Sequence, residues 1–372
     1  MTPAFQTIPS LNGIRAASVL LVMLSHAGFG EIVPGGFGVT VFFFLSGYLI
    51  TTLLVNEFGH TATIDVRNFY IRRFFRLFPP LVVTLAIAYS LVASGFLPGG
   101  ITLYGVLSQL FYFANYYAMN ADIGKVMPGG TVILWSLAIE EHFYIVYPLV
   151  MLGLLSRGVS VRRIGQLFVV ICAVVLLWRL YLASQPGFLS ARTYFGTDTR
   201  IDSILFGTLL ALWHNPMARI AEKERMSVAQ WAIVAAALGL LFATFLFRSE
   251  FFRQTTRYTL QGIALYPLFY FAVRYHDNFV FRHLNWQWIS KIGIWSYAIY
   301  LIHYVAIIFV ETHWSGAAGH PVMVFLVAAV ISICYAMFID KWIDPYFRWR
   351  ARPRPAGGRG KDASSVAAQT GH

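Results

Sequence analysis

Apolar runs of about 20 residues recur along this chain, separated by short polar and basic connectors. Each run is long enough to cross about 30 Å of hydrocarbon as a helix. The runs are too continuous for the alternating pattern of a membrane barrel. In lipid every backbone polar group must be satisfied within the segment, which leaves the helix as the spanning element. The pattern predicts spans near residues 14–28, 38–55, 78–96, 134–155, 165–183, 200–214, 229–247, 258–274, 291–310 and 321–342. The expected fold class is therefore all-α, a polytopic membrane helix bundle of about ten transmembrane helices.

Residues 103–118 are the ambiguous stretch, aromatic but interrupted by Ser108, Gln109 and Asn115. If they span, the basic connector with Arg157, Arg162 and Arg163 falls outside the cell. If they re-enter or lie at the interface, it falls inside. The positive-inside rule favours the second arrangement, a re-entrant segment near 103–133. The same rule puts the connectors with Arg67, Arg72, Arg73 and Arg76, with Arg219, Lys223 and Arg225, and with Arg274 and Arg282 in the cytoplasm. Both termini are then cytoplasmic. Residues 1–350 form the expected membrane domain. Residues 351–372, rich in Gly, Pro, Ala and Ser and including Arg352 and Arg354, read as a disordered cytoplasmic tail.

Composition agrees. The chain is 58% hydrophobic and 12% charged, about half the charged fraction of a soluble domain. The net charge of +12 sits in short connectors and at the C-terminal end, so it marks topology rather than nucleic-acid binding. Cys172 and Cys334 lie inside apolar runs and read as small hydrophobes, not as a disulfide or a metal site. No basic leader with a small-residue cleavage site precedes the first run, so that run is expected to be retained. No internal repeat is evident, which weakens an inverted-repeat transporter.

Ionisable groups inside spans are costly and mark functional candidates. Arg15 and His26 are 11 residues apart in the first run. They share one helix face and stand about 16 Å apart along its axis. The plain alternatives are a snorkelling arginine and a helix-packing histidine. Arg72, Arg73 and Arg76 stand one turn apart at i, i+3 and i, i+4. Guanidinium forks in such a cluster suit a phosphate-bearing ligand, the alternative being contact with anionic membrane lipid. Ser136, Glu140 and Tyr144 form a polar stripe at i, i+4, i+8. Glu140 shares that stripe and is the residue expected to face a cavity, while Glu141 and His142 fit the interface. Asp198, Arg200 and Asp202 place two carboxylates one turn apart around an arginine, which fits an internal salt bridge as well as catalysis. His303 falls deep in the ninth run, where packing is the simpler role.

Together these segments resemble the acyltransferase-3 superfamily of bacterial membrane acyltransferases. The likeness rests on Arg15 and His26 at an R-x10-H spacing and on FFFLSGYLI, RRFFRLFPP, WSLAIEEHFY, TDTRIDSILFG and WSYAIYLIH in that order. It covers nearly all of the chain except the tail. His142 stands where many members have glutamine.

The resemblance implies an O-acyltransferase of the bacterial inner membrane. It would take an acyl group, usually acetyl, from cytoplasmic acyl-CoA and pass it to a hydroxyl of a cell-surface glycan or lipid-linked saccharide. No metal is implied. Arg15, Arg72, Arg73 and Arg76 are then the expected coenzyme-binding residues, with the pantetheine arm running up the first span. His26 is expected as general base or transient acyl carrier, since imidazole titrates near neutrality. Glu140 is expected to orient the His26 ring. Ser136, Tyr144 and Asn115 are expected substrate contacts, and Asp198, Arg200, Asp202 and His303 are expected supports. The alternative is a transporter of a glycan or small solute that uses the same groups as a proton relay.

Overall fold

The computed structural model describes residues 8–219 and 225–348. Lys223, Arg350, Arg352, Arg354 and the expected tail at 351–372 lie outside the described residues. In chain order the helices begin with α1 (Leu11–Leu24), α2 (Gly35–Thr61) and α3 (Val66–Ala93). Three short helices follow: α4 (Leu103–Leu110), α5 (Ala114–Ala118) and α6 (Ile123–Val126). Then come α7 (Leu134–Ser156), α8 (Val161–Ala183), the short α9 (Ser190–Phe195) and α10 (Thr197–Trp213). The chain continues through α11 (Val228–Leu246), the short α12 (Glu250–Gln254), α13 (Thr256–Arg274), α14 (Gln287–His313), α15 (Pro321–Phe338) and the short α16 (Asp344–Arg348).

The ten long helices occupy the ten expected runs. Among the described residues eight, α1 counted together with the turn that follows it, are long and apolar enough to cross a membrane. The other two are α10, which has 17 residues, and α13, which carries Arg257 and Arg274 near its ends. The 103–133 region holds only short helices. The longest of them, α4, has eight residues and so is about 12 Å long, well short of a span. Its polar side chains find partners inside the protein. Gln109 donates to Thr131 at 2.7 Å and accepts from the Tyr89 hydroxyl at 3.0 Å.

Local chemistry explains the helix starts. Ser160 accepts from the Arg163 N–H to open α8, and Ser227 with Gln230 forms a complete capping box on α11. Asp65 accepts from the Asn68 N–H to open α3. One expectation changes here: α3 does not begin at the Pro79–Pro80 pair but runs through it as a single helix. The two prolines lack the N–H groups that would bond four residues back. Phenols support the helix beside the break, with Tyr297 donating to the Leu77 carbonyl at 2.7 Å and Tyr335 to that of Pro80 at 3.2 Å. The arginines before the prolines therefore ride on the same helix that crosses the bundle.

α2 lies at the centre and is buried along most of its length. It meets α10 backbone to backbone. A Cβ on Gly47 would collide with the Ile204 carbonyl, and one on Gly207 with the Phe44 carbonyl. Small residues at such a crossing let two membrane helices approach closely. α1 ends in a kinked turn, Ser25–Phe29, in which Ala27 and Gly28 leave helical geometry and Gly28 takes φ 100°. A side chain is strained in that conformation, so glycine closes the turn, and His26 sits within it.

Candidate functional site: a basic cavity and a histidine pair

The Arg15 end of α1 opens onto a cavity of about 480 Å³. Arg15, Arg73 and Arg76 line it, together with Ser46, Ser136, Glu140, Tyr144 and Tyr300. α3 carries Arg73 and Arg76 to the wall one helical turn apart. The Arg73 guanidinium lies 3.7 Å over the Tyr144 ring, a cation–π contact. Its Nε is buried without a hydrogen-bond partner. Arg15 reaches Asn12 Oδ1 at 3.4 Å.

A hydrogen-bonded line crosses the cavity wall. The Tyr144 hydroxyl donates to Ser46 Oγ at 2.8 Å, and Ser46 donates to Glu140 Oε1 at 2.8 Å. The charges of Arg73 and Arg15 act on that carboxylate. Glu141, the next residue, keeps Oε1 buried and unpartnered. The inner wall ends at Tyr300, whose hydroxyl meets Ser136 Oγ at 2.7 Å.

Beyond Tyr300 stands the histidine pair. His26 Nδ1 and His303 Nε2 are 3.0 Å apart. His303 Nδ1 lies 2.7 Å from the Tyr300 carbonyl oxygen. A carbonyl only accepts, so Nδ1 of His303 carries the proton and its Nε2 is the acceptor. His26 must then donate from Nδ1, which leaves the lone pair of its own Nε2 free. This tautomer assignment follows from the network, since the hydrogens are inferred. Tyr304 stacks on the His26 ring with centroids 4.3 Å apart. His303 is fully buried, whereas His26 is partly exposed.

These positions revise several expectations. Glu140 is not the group that orients His26. Its oxygen accepts from Ser46, and the ring partner of His26 is His303, one turn from Tyr300 on α14. His303 thus moves from packing to direct contact. Arg72, one residue before Arg73, is not among the cavity-lining residues, because at 100° per residue it faces elsewhere. Asn115 does not line the cavity either. It is fully buried and donates to the Phe195 carbonyl and Thr197 Oγ1, each at 3.1 Å, while His142 bonds the same threonine at 2.8 Å.

The Asp198–Arg200–Asp202 segment does not pair internally. Asp202 takes a bidentate bond from Arg179 of α8 at 2.8 and 2.7 Å, both side chains fully buried. Asp198 pairs with Arg192 on α9 at 2.5 Å, and that hydrogen bond raises the Arg192 pKa. Residue pattern missed Arg179 and Ser46. A cation inside the 165–183 run was the available signal for Arg179, whereas Ser46 lies unremarked within an aromatic stretch.

Residues 8–340 match the model of the acyltransferase domain family, Acyl_transf_3. The chain belongs to this acyltransferase family. It is 30% identical over 92% of its length to "Putative O-acetyltransferase SACOL0978" of Staphylococcus aureus (strain COL), covering 57% of that protein. It is 32% identical over 88% of its length to "Putative peptidoglycan O-acetyltransferase YrhL" of Bacillus subtilis (strain 168), covering 52% of it. It is also 30% identical over 92% of its length to "O-acetyltransferase OatA" of Staphylococcus aureus (strain NCTC 8325 / PS 47), covering 57% of it. The chain therefore spans little more than half the length of the curated relatives it matches. No solved structure matches it. Membership in this family is what the acyltransferase reading of the sequence expects.

Proposed function

We propose that the protein is a membrane O-acetyltransferase that takes an acetyl group from acyl-CoA in the basic cavity and delivers it to a glycan hydroxyl at the His26 end. The cavity end is cytoplasmic in this reading, following the positive-inside rule. The observation that carries it is the imidazole pair one turn beyond a cavity lined by three arginines.

Three cations and one carboxylate line the cavity, an excess that suits the phosphates of a coenzyme. Arg15, Arg73 and Arg76 hold the head of the donor, and its thin pantetheine arm rises along α1. His26 Nε2 takes the proton from the acceptor hydroxyl as that oxygen attacks the thioester carbon. The C–O bond forms and the C–S bond breaks. The imidazolium then returns its proton to the departing thiolate, so the products are an acetyl ester and free CoA thiol. His303 Nε2 keeps His26 in the competent tautomer and accepts a stronger, charge-assisted bond from the imidazolium. Tyr304 offers its ring face to the same cation. Glu140, Ser46 and Tyr144 hold the arginine wall of the cavity. The acceptor is an envelope glycan, a reading supported by the printed name of the Bacillus subtilis relative.

The test is His26→Ala in purified, folded protein given labelled acetyl-CoA and a peptidoglycan or oligosaccharide acceptor. General base catalysis contributes roughly 10²- to 10⁴-fold, so ester formation should fall by that order. Transfer at the wild-type rate would remove His26 from the reaction.

A further inference from the structure

A second group of arginines gathers at the His26 end, opposite the cavity mouth. Arg200 is fully buried. Its guanidinium lies 3.9 Å over the Tyr258 ring and 5.5 Å from the rings of Phe43 and Trp135. It donates to Thr40 Oγ1 at 3.2 Å and to the Tyr194 carbonyl at 3.4 Å, and its Nε is buried without a partner. Asp202, two residues on, is committed to Arg179.

Arg257 approaches the same tyrosine. Its guanidinium is 5.2 Å from the Tyr258 ring and 3.4 Å from the Tyr258 hydroxyl, and its Nε is also buried and unpartnered. Among the described residues no carboxylate lies within salt-bridge distance of either arginine. Arg253, one turn earlier, is half exposed and only 3.9 Å from Glu250 at its closest.

Two guanidinium groups on one phenol repel each other, and a buried cation without a counter-charge is costly. Cation–π contacts offset only part of that cost. An anion beside them would supply the missing counter-charge. Basic residues also run against the charge bias of this face, which by the positive-inside rule should be poor in arginine. Location links the cluster to the reaction. Tyr194 Oη lies against Gly36 of α2, and Ser25, the residue before His26, lies against Gly35.

We infer that Arg257, with Arg253 beside it and Arg200 behind it, forms an acceptor subsite for a negatively charged group, the carboxylate or phosphate ester of an acidic glycan. The inference rests on the proposed transfer and specifies its acceptor. The anion fixes the sugar so that a nearby hydroxyl meets His26 Nε2. Arg257 and Arg253 contact the anion, and Arg200 acts as a positioning residue through the shared Tyr258 ring.

The test uses the full chain in nanodiscs of neutral lipid, with saturating acetyl-CoA and thiol release as readout. One oligosaccharide is offered with its carboxylate, with that carboxyl reduced to an alcohol, and with a phosphate ester. The charged forms should have kcat/KM about tenfold above the reduced form, mainly through KM. That preference should shrink in high salt and in Arg257→Gln, and return in Arg257→Lys. A preference that arises only when anionic lipid is added assigns the arginines to lipid headgroups and overturns the subsite. So does equal use of charged and neutral acceptors by the wild-type chain, which needs no variant to fold. Efficient transfer to the neutral acceptor alone sinks the subsite and spares the parent reading. No thiol release with any acceptor sinks both.

Discussion

The contact between His26 and His303 makes a quantitative prediction. Substituting His303→Leu removes the acceptor for His26 Nδ1, a bond of 3.0 Å reaching a fully buried ring. In the resting enzyme this bond joins two neutral rings and contributes about 0.5–1.5 kcal/mol net. As His26 takes the acceptor proton the donor becomes charged, and such bonds contribute about 1.5–3 kcal/mol. The charged form therefore loses about 1–1.5 kcal/mol more, and kcat should fall roughly 5- to 12-fold, at 1.4 kcal/mol per factor of ten. Donor KM should change little, since His303 is not among the cavity-lining residues. His303→Gln places an amide oxygen near the lost Nε2 and should recover part of the rate. The assay is single-turnover acetyl transfer in detergent or nanodiscs, with a thermal midpoint measured on each variant. Wild-type kcat in a folded His303→Leu protein would refute the tautomer argument. Equal kcat in the Leu and Gln variants, both reduced, would show that His303 acts by packing alone.

Arg73→Ala and Arg76→Ala should each raise donor KM about tenfold, with kcat at saturation nearly preserved, while Arg72→Ala should stay within about twofold of wild type, because charge-assisted phosphate bonds are lost only in the first two. Isotherms with acetyl-CoA distinguish these outcomes. Asp202→Ala leaves the Arg179 cation buried and alone and should cost about 3–5 kcal/mol of stability, visible as lost folded yield or a depressed thermal midpoint. At the α3 cap, the hydrogen bond from the Asn68 N–H holds the Asp65 pKa below its ordinary value. That contribution is complete above the ordinary carboxylate range and is lost as pH falls through the lowered value. Asp65→Ala should cost about 1 kcal/mol at neutral pH, and its thermal deficit should vanish in strong acid.

The fold is largely legible in residue order because lipid imposes a simple demand. Ten apolar runs must be ten helices, and the short polar segments of 103–133 cannot cross. The α3 boundary is harder to read, since proline usually signals a break, yet the helix runs through the pair with Tyr297 and Tyr335, more than 200 residues away, bonded beside it. The site follows the same division. Helical periodicity puts Arg73 with Arg76, and Ser136 with Glu140 and Tyr144, on one face each, and only packing brings them together with Arg15 around one cavity. Which side chain meets His26 is a tertiary fact. Glu140 and His303 are both polar groups deep in apolar runs, and only the packing of α1 against α14 selects the histidine. Arg200 and Asp202 look like partners in sequence, yet one faces aromatic rings and the other Arg179.

The close crossing of α2 and α10 at Gly47 and Gly207 has a consequence for the proposed transfer. α2 carries Ser46 at the donor cavity, and α10 carries Arg200 at the opposite face. With their backbones in contact, the two ends of the route belong to one stiff frame. A crossing with no room for a Cβ resists the sliding of one helix past the other. In the proposed reaction the moving part is then the acetyl group on its flexible pantetheine tether, reaching from the Arg15 end toward His26. In that proposed reaction the thioester itself supplies the energy of transfer.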